Sequence, residues 1–154
     1  MRTPRIYLDT SVIGGYFDPE FADATRQMFS ELAVGRLIGV ISGVVLQELV
    51  NAPPCVRQLL EVNPGDRFEV IPATEEAETL AEAFLAAGIV GPQCADDCRH
   101  VALAFCANVD ILTSWNCRHI VQYERIRAFN ALAVLRGFRA LEIRTPREVI
   151  HYED

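Results

Sequence analysis

Three acidic residues stand where the surrounding sequence pattern favours apolar side chains. Asp9 follows the apolar run IYL, Glu48 lies within VVLQELV, and Asp97 opens a segment whose next turns are apolar. Burying a lone carboxylate is costly, so each acid needs a cationic partner, which an Arg elsewhere in the chain can supply, or a metal ion. Carboxylate oxygens without His or Cys among them suit Mg²⁺ or Mn²⁺. We therefore treat these three acids as candidate metal ligands.

Taken singly, each acid has an explanation that involves no metal. Asp9 can form a turn at the end of a strand, and Glu48 can be a solvated helix residue. Asp96 and Asp97 can be N-cap and first-turn acids of a helix, and one of them is expected to have that role. Taken together, all three acids are expected at one edge of a parallel sheet, where sites form in such folds. The combination therefore favours one shared site.

Such a site requires an α/β fold, which the rest of the pattern predicts. Short apolar runs predict strands at residues 5–9, 37–41, 68–71, 110–114 and 141–144. Apolar residues at helical spacing predict helices at residues 20–34, 42–50, 75–87, 96–107 and 121–136. Strands that alternate with helices imply a parallel sheet. No repeat or linker divides the chain, so we expect a single domain over residues 1–154.

Composition limits the class of protein. Of the 154 residues, 51% are hydrophobic, which is enough for one domain with a substantial core. No apolar run approaches the roughly 18 residues of a membrane span, and the N-terminus has no apolar signal segment. We therefore expect a cytoplasmic protein. Five cysteines without a secretory context argue against a disulfide framework.

The charge is divided between an acidic part and a basic part. The net charge of −7 by itself argues against a nucleic-acid partner. Residues 66–97, however, contain eight acids and one Arg, whereas residues 117–147 contain seven Arg and two acids. The C-terminal part can therefore contact phosphates although the chain as a whole is acidic.

The absence of Lys from the sequence excludes two other α/β classes that collect acids at strand ends. Receiver domains of two-component signalling need a Lys beside their paired acids. Haloacid dehalogenase-type phosphatases need a Lys and an Asp-x-Asp-x-Thr motif. The residue two positions after Asp9 is Ser11, so that motif is absent as well.

The segments YLDTS, DCRHVALA and ILTSWNCRHI, with Glu48 in a helix that follows a strand, resemble a PIN domain. The resemblance runs from Arg5 to about Glu148. It points to the bacterial PIN proteins grouped with the toxins of VapBC toxin–antitoxin pairs. It implies a three-layer α/β/α sandwich around a mainly parallel sheet. It also implies an RNA-cleaving enzyme that uses Mg²⁺ or Mn²⁺, with a cognate antitoxin and a homodimeric state.

The same resemblance assigns roles to the acids. Asp9, Glu48 and Asp97 would bind the metal. Asp97 is preferred to Asp96 because it stands three residues before His100, the spacing of D-x-x-H in such sequences. Asp96 would then be the helix cap.

One position departs from the family pattern. Many PIN domains carry a fourth acid in a Thr/Ser-x-Asp segment, and the corresponding segment here is Ser114-Trp115-Asn116. We keep Asn116 as a catalytic-site residue because its carbonyl oxygen can face a metal ion or its water. It brings no charge, however, so the choice between one ion and two stays open.

Further polar residues are predicted to support the site. Three hydroxyls are expected to hydrogen-bond the acids or water on the metal: Thr10, Ser11 and Ser114. Three basic residues are candidates to contact RNA phosphates, although for any one of them a solvated helix face is the commoner role: Arg118, Arg125 and Arg127. Trp115 can stack on a base or belong to the core.

Three alternatives remain open. A zinc site would use Cys94, Cys98, His100, Cys117 and His119, although no C-x-x-C motif occurs and Cys98 falls on an apolar helix face. A catalytically weak PIN fold that only binds RNA or protein would explain Asn116. A housekeeping nuclease for RNA processing would have no antitoxin gene beside its own.

Overall fold

The sheet is five-stranded and all of its strand pairs are parallel. A computed structural model describes residues 2–62 and 68–151, with no account of the side chains of residues 61 and 62. The strands are β1 (Arg5–Leu8), β2 (Ile38–Ser42), β3 (Phe68–Ile71), β4 (Ile111–Thr113) and β5 (Glu142–Arg144). Their order in the sheet is β3-β2-β1-β4-β5. β1 is therefore the central strand, with β2 and β3 on one side of it and β4 and β5 on the other.

Helices cover the sheet in a three-layer α/β/α arrangement. Those among the described residues are α1 (Thr10–Gly15), α2 (Ala22–Ala33), α3 (Gly43–Glu48), α4 (Pro54–Val62), α5 (Glu75–Ala86), α6 (Ala95–Cys106), α7 (Tyr123–Leu135) and α8 (Pro146–Val149). A short 3₁₀ turn, Pro92–Cys94, precedes α6. Phe84 of α5 contacts both Phe105 of α6 and Phe129 of α7, and these three rings are buried. α2 packs against α1 and α8.

The predicted strands and long helices are confirmed to within a few residues. Capping hydrogen bonds and backbone conformation explain why the ends of these elements can be predicted. Thr74 accepts a hydrogen bond from the Ala77 amide and so caps α5, and Gly88 follows that helix with φ +71°, a conformation that favours glycine. Gly137 follows α7 with φ +96°. Within the part of the chain that the structure describes, no helix is long and apolar enough to cross a membrane.

Four elements, α4 among them, are absent from the predicted helices, and one predicted cap is wrong. The helices α1 and α8 and the turn Pro92–Cys94 have six residues or fewer, too few to show an apolar period. Asp96 is not the cap of α6, because the helix begins at Ala95 and its N-cap is Cys94. The side chain of Asp96 is instead exposed and pairs with Arg99, with 2.6 Å between Oδ1 and Nη1. Asp96 and Asp97 both lie in the first turn.

Candidate active site

Asp9 lies at the junction between the central strand and the first helix. Its backbone N–H donates to the Thr113 carbonyl at the end of β4, so the strand pairing continues to this residue. Its side chain then caps α1, because one carboxylate oxygen accepts the Val12 amide at 3.2 Å. Asp9 thus ends the strand and begins the helix, and its carboxylate faces the carboxyl edge of the sheet.

Hydroxyl groups surround the Asp9 carboxylate, which is only 3% exposed. Ser11 Oγ donates to Asp9 Oδ1 at 2.6 Å, and Ser114 also hydrogen-bonds this carboxylate. Burial raises the pKa of Asp9, and the charge of His100 and the hydroxyl and amide donors only partly oppose it. The free energy cost of the ionised form is therefore not fully offset by the protein itself.

Glu48 ends α3, and Ser42 at the end of β2 caps that helix through the Val45 amide. One oxygen, Oε1, accepts Thr10 Oγ1 at 3.1 Å and hydrogen-bonds His100 Nε2 at 2.5 Å. Burial acts to raise the pKa of Glu48, but the hydrogen bond and charge of His100 outweigh it, so the pKa is lowered. No described donor bonds the other oxygen, Oε2.

His100 is the residue that sequence reasoning missed as the partner of these acids. It projects from α6 and is 3% exposed. Its Nδ1 hydrogen-bonds the Tyr7 hydroxyl at 2.8 Å, and that hydroxyl hydrogen-bonds Ser42 Oγ at 2.7 Å. Burial acts to lower the pKa of His100, but the hydrogen bond to Glu48 and the charges of the neighbouring acids raise it overall. The structure thus gives Glu48 a partner inside the protein, and the neighbouring acids favour the protonated form of His100.

A signal for this role was present in the sequence. Residues three apart on a helix share a face, so Asp97 and His100 had to point the same way. Glu48, as a carboxylate in an apolar segment, needs a partner, and a histidine on the same helix face as Asp97 is a candidate for it.

Asp97 reaches the same cluster from the first turn of α6 and is partly buried. Burial and the charge of Asp9 raise its pKa, while His119, His100 and a hydrogen bond from Asn116 act to lower it. Two neighbouring acids on one helix therefore have different surroundings. Asp97 belongs to the cluster, and Asp96 belongs to the surface.

Asn116 does not present a free carbonyl oxygen, contrary to the prediction. Its Oδ1 accepts the backbone amides of Arg118 at 3.2 Å and His119 at 2.9 Å. These two donors identify the oxygen, so the amide group is the one that hydrogen-bonds Asp97. Asn116 therefore orders the loop after β4 and supports a neighbouring carboxylate.

The donor set suits a hard divalent cation, but it is not closed around one. Asp9 is a buried carboxylate whose hydrogen bonds come from neutral groups, and Glu48 keeps one oxygen without a described partner. Among the described residues, however, no three His, Cys, Asp or Glu side chains are grouped closely enough to hold a metal ion. Metal binding by these acids would require their side chains to draw together. The same finding gives the alternative zinc set no support.

The predicted RNA contacts are distributed unevenly. Arg118 and Arg127 are exposed, and the Arg127 guanidinium lies 5.5 Å from the centre of the Tyr123 ring. Arg125 is partly buried, and its Nε is enclosed without a hydrogen-bond partner among the described residues, as is Nδ1 of His119. Only two of the three arginines therefore present an open charge to a ligand.

Trp115 belongs to the core. It is buried, stacks on Phe21 with ring centres 4.4 Å apart, and donates its indole N–H to Thr25 Oγ1 at 2.9 Å. A Cβ on Gly15 would come within 2.7 Å of the indole nitrogen, so glycine there allows α1 to approach the ring. Base stacking on Trp115, one of the two predicted options, is wrong for this conformation.

Comparison with known proteins shows the fold. No family model matches the chain, and no curated protein matches it in sequence. Solved structures do match. FitAcB from Neisseria gonorrhoeae aligns with TM-score 0.59 and 15% identity over 92% of this chain and 97% of that one. VapBC2 from Rickettsia felis, bound to a DNA fragment from its promoter, aligns with TM-score 0.57 and 16% identity over 92% and 98%. DNA-bound VapBC from Salmonella typhimurium aligns with TM-score 0.55 and 18% identity over 93% and 98%. The chain therefore has the fold found in VapBC structures, the three-layer PIN-like sandwich.

Proposed function

We propose that this protein is a metal-dependent endoribonuclease that hydrolyses RNA phosphodiester bonds with Mg²⁺ or Mn²⁺. The observation that carries the proposal is the buried carboxylate of Asp9, which lies with Asp97 and Glu48 at the carboxyl edge of a PIN-like sheet. Three acids at that edge repel one another, and a divalent cation relieves the repulsion. We also propose that the protein acts in the cytoplasm, where RNA is available.

In this mechanism Asp9, Glu48 and Asp97 would hold the cation, and the cation would bind the scissile phosphate beside them. A bound Mg²⁺ or Mn²⁺ supplies activation of the attacking water and neutralisation of the charge on the leaving oxygen. Ser11 and Ser114 orient Asp9, and Asn116 orients Asp97 through its amide. Hydrogen-bonded carboxylates keep one geometry while the substrate binds.

Exposed positive charge in the segment after β4 supports a substrate that carries phosphates. Arg118 and Arg127 are exposed in the segment that follows β4, the strand that ends beside Asp9. We expect them to contact phosphates on either side of the cleaved bond and to give little base specificity. Mutation of both to Ser should raise KM for RNA and reduce its salt dependence, with kcat nearly unchanged.

The solved relatives support a toxin in a toxin–antitoxin pair. Two of the three similar structures are named as VapBC, a pair of proteins, and both were solved with DNA. We propose a cognate antitoxin for this chain and a homodimeric state by analogy with that family. The test is co-expression with the product of the small gene beside its own. Co-purification and loss of RNA cleavage would support the pairing, and an unrelated neighbouring gene would favour a housekeeping nuclease.

His100 favours a second candidate function. Its imidazole pairs with Glu48 inside the protein, so this acid of the cluster has a partner without a metal ion. A PIN-like binding module without nuclease activity is consistent with that arrangement. The two candidates differ in metal affinity, since a binding module has no need to bind Mn²⁺.

The deciding experiment compares wild type with Asp97→Asn on single-stranded RNA and DNA oligonucleotides, with Mn²⁺, Mg²⁺ or chelator. Asp96→Asn is the matched control, because it removes the adjacent carboxylate, which pairs with Arg99 at the surface. We expect RNA cleavage by wild type and the control only, abolished by chelator. Cleavage that persists in chelator, or in Asp97→Asn, would contradict the metal mechanism. No cleavage and no Mn²⁺-induced rise in melting temperature in wild type would favour the binding module.

A further inference from the structure

A continuous hydrogen-bond chain runs from the core of the protein to Glu48. It begins at Ser42 Oγ, passes through the Tyr7 hydroxyl at 2.7 Å and His100 Nδ1 at 2.8 Å, and ends with His100 Nε2 at Glu48 Oε1. Tyr7, Ser42 and His100 are all buried. Water therefore cannot compete for the hydrogen bonds of these three side chains, which favours one fixed geometry.

Both ring nitrogens of His100 are occupied within this chain. With 3% exposure and no free nitrogen, the ring offers no atom to RNA or to an attacking water. A catalytic acid or base must come within hydrogen-bond reach of the reacting atoms, so His100 does not fit that role. Its contact is with a carboxylate that itself reaches solvent, since the side chain of Glu48 is 31% exposed.

This series of hydrogen bonds constrains one carboxylate oxygen of Glu48 and leaves the other without a described partner. Oε1 is taken by His100 and Thr10, and Oε2 has no partner among the described residues. A long, partly exposed side chain loses rotamer freedom when it binds a ligand. A carboxylate that is already held through one oxygen has lost part of that freedom before the ligand arrives, so binding through the other oxygen costs less.

We infer that His100 is a positioning residue that, supported by Tyr7, holds Glu48 ready to bind the divalent cation through Oε2. This inference rests on the proposed nuclease function and names a residue that supports its metal site. The His100–Glu48 contact determines how tightly the cation binds, and it has no direct part in bond cleavage. Partners of this kind around ligating carboxylates commonly contribute about 10-fold to 100-fold in metal affinity.

The experiment measures Mn²⁺ binding by calorimetry without RNA in wild type, His100→Ala and Tyr7→Phe. His100→Ala removes the whole contact, and we expect the Kd for Mn²⁺ to rise about 10-fold to 100-fold. Tyr7→Phe keeps the buried ring and removes only the hydroxyl, so a smaller rise of several-fold is expected. His100→Gln, whose amide can still donate to Glu48, should restore part of the affinity. RNA cleavage at saturating Mn²⁺ should stay within several-fold of wild type, with KM for RNA unchanged.

His151→Ala is the matched control, because it breaks the second His–Glu pair of the described chain, away from the acid cluster. Its Kd for Mn²⁺ should equal that of wild type. The melting temperature of each metal-free variant separates lost positioning from lost folding, and Tyr7→Phe remains informative if His100→Ala does not fold. Unchanged or tighter Mn²⁺ binding in His100→Ala and Tyr7→Phe would overturn the inference alone. Absence of Mn²⁺ binding and of RNA cleavage in wild type would overturn the proposed function together with it.

Discussion

Two histidine–glutamate pairs in this protein have the same chemistry and opposite surroundings. Both join an imidazole nitrogen to a carboxylate oxygen at 2.5 Å. In the first pair the imidazole of His100 is 4% exposed and the Glu48 side chain 31% exposed. In the second pair the carboxylate of Glu31 is 2% exposed and the His151 side chain 65% exposed. The buried member is therefore the histidine in one pair and the glutamate in the other.

The burial decides what each carboxylate can still do. Glu31 has both oxygens satisfied by residue 151, Oε1 by the imidazole and Oε2 by the backbone N–H at 3.0 Å. Its contact ties the end of the described chain to α2. Glu48 is held through one oxygen, and its side chain is 31% exposed. The enclosed Glu31 therefore has both oxygens paired inside the protein, whereas the more exposed Glu48 has one oxygen without a partner among the described residues.

The largest expected effect is a difference in RNA cleavage between the two glutamates when each is replaced by glutamine. Glu48→Gln should reduce RNA cleavage by more than about 100-fold, because in the proposed mechanism Glu48 helps to hold a cation that supplies several kcal/mol of transition-state stabilisation, and each 1.36 kcal/mol is tenfold in rate. Glu31→Gln should leave cleavage within a few-fold of wild type. Initial rates at saturating Mn²⁺ measure both. Equal loss in the two variants would remove the distinction between the pairs.

For the free energy of unfolding, in contrast, we expect the Glu31–His151 pair to matter. His151→Ala leaves a buried oxygen of Glu31 without its imidazole partner, which costs about 1 to 3 kcal/mol. For a protein of this size that lowers the melting temperature by roughly 2 to 4 °C per kcal/mol. Thermal unfolding of the metal-free protein at neutral pH measures the effect. A destabilisation below the error of the measurement would show that the backbone N–H and water suffice for Glu31.

The metal-free protein should lose stability as the pH rises from mildly acidic to alkaline. The raised pKa of His100 means that its contribution is complete below the unfolded value of about 6.5 and is lost as the pH rises through the folded pKa. The raised pKa of Asp9 acts in the same direction, because the folded state holds its proton more tightly. The lowered pKa of Glu48 acts oppositely, but only below its unfolded value of about 4.3. Urea denaturation across this range measures the slope, and His100→Gln should reduce it. A slope of the opposite sign would contradict the neutralising role of His100.

The smallest expected effect concerns Asn116. Asn116→Asp keeps an oxygen for the amides of Arg118 and His119 but replaces the donor to Asp97 with a like charge. We expect a metal-free protein that is less stable by up to about 1 kcal/mol, and tighter Mn²⁺ binding by several-fold, because a further carboxylate joins the cluster. Melting temperatures with and without Mn²⁺ measure the two effects. Weaker Mn²⁺ binding would show that the amide support of Asp97 matters more than an added charge.

Much of the fold could be predicted because its signals are local. The strand ending at Leu8 and the helix between Thr74 and Gly88 are each defined by apolar period, cap and stop within one segment. The helix α1 was not predicted although Asp9 caps it, because two glycines in six residues disfavour a helix. The place of the acids at one sheet edge was also predictable, because parallel strands carry their ends to the same side.

The partners of those acids were not predictable in the same way. Asp96 and Asp97 both lie in the first turn of α6 and the D-x-x-H spacing favours Asp97, but the pairing of Asp96 with Arg99 at the surface is visible only in the structure. The oxygen of Asn116 looked free because the backbone amides that donate to it reach it only when the loop after β4 turns back on itself.

The sequence by itself determined a parallel α/β sheet and three acids at its carboxyl edge, since apolar period and strand direction are properties of consecutive residues. Only the tertiary structure decided which cation meets those acids. His100 is 52 positions from Glu48 and 93 from Tyr7 along the chain. A hydrogen bond between such residues depends on distances of a few tenths of an ångström across three packed elements, and no local pattern encodes distances of that kind.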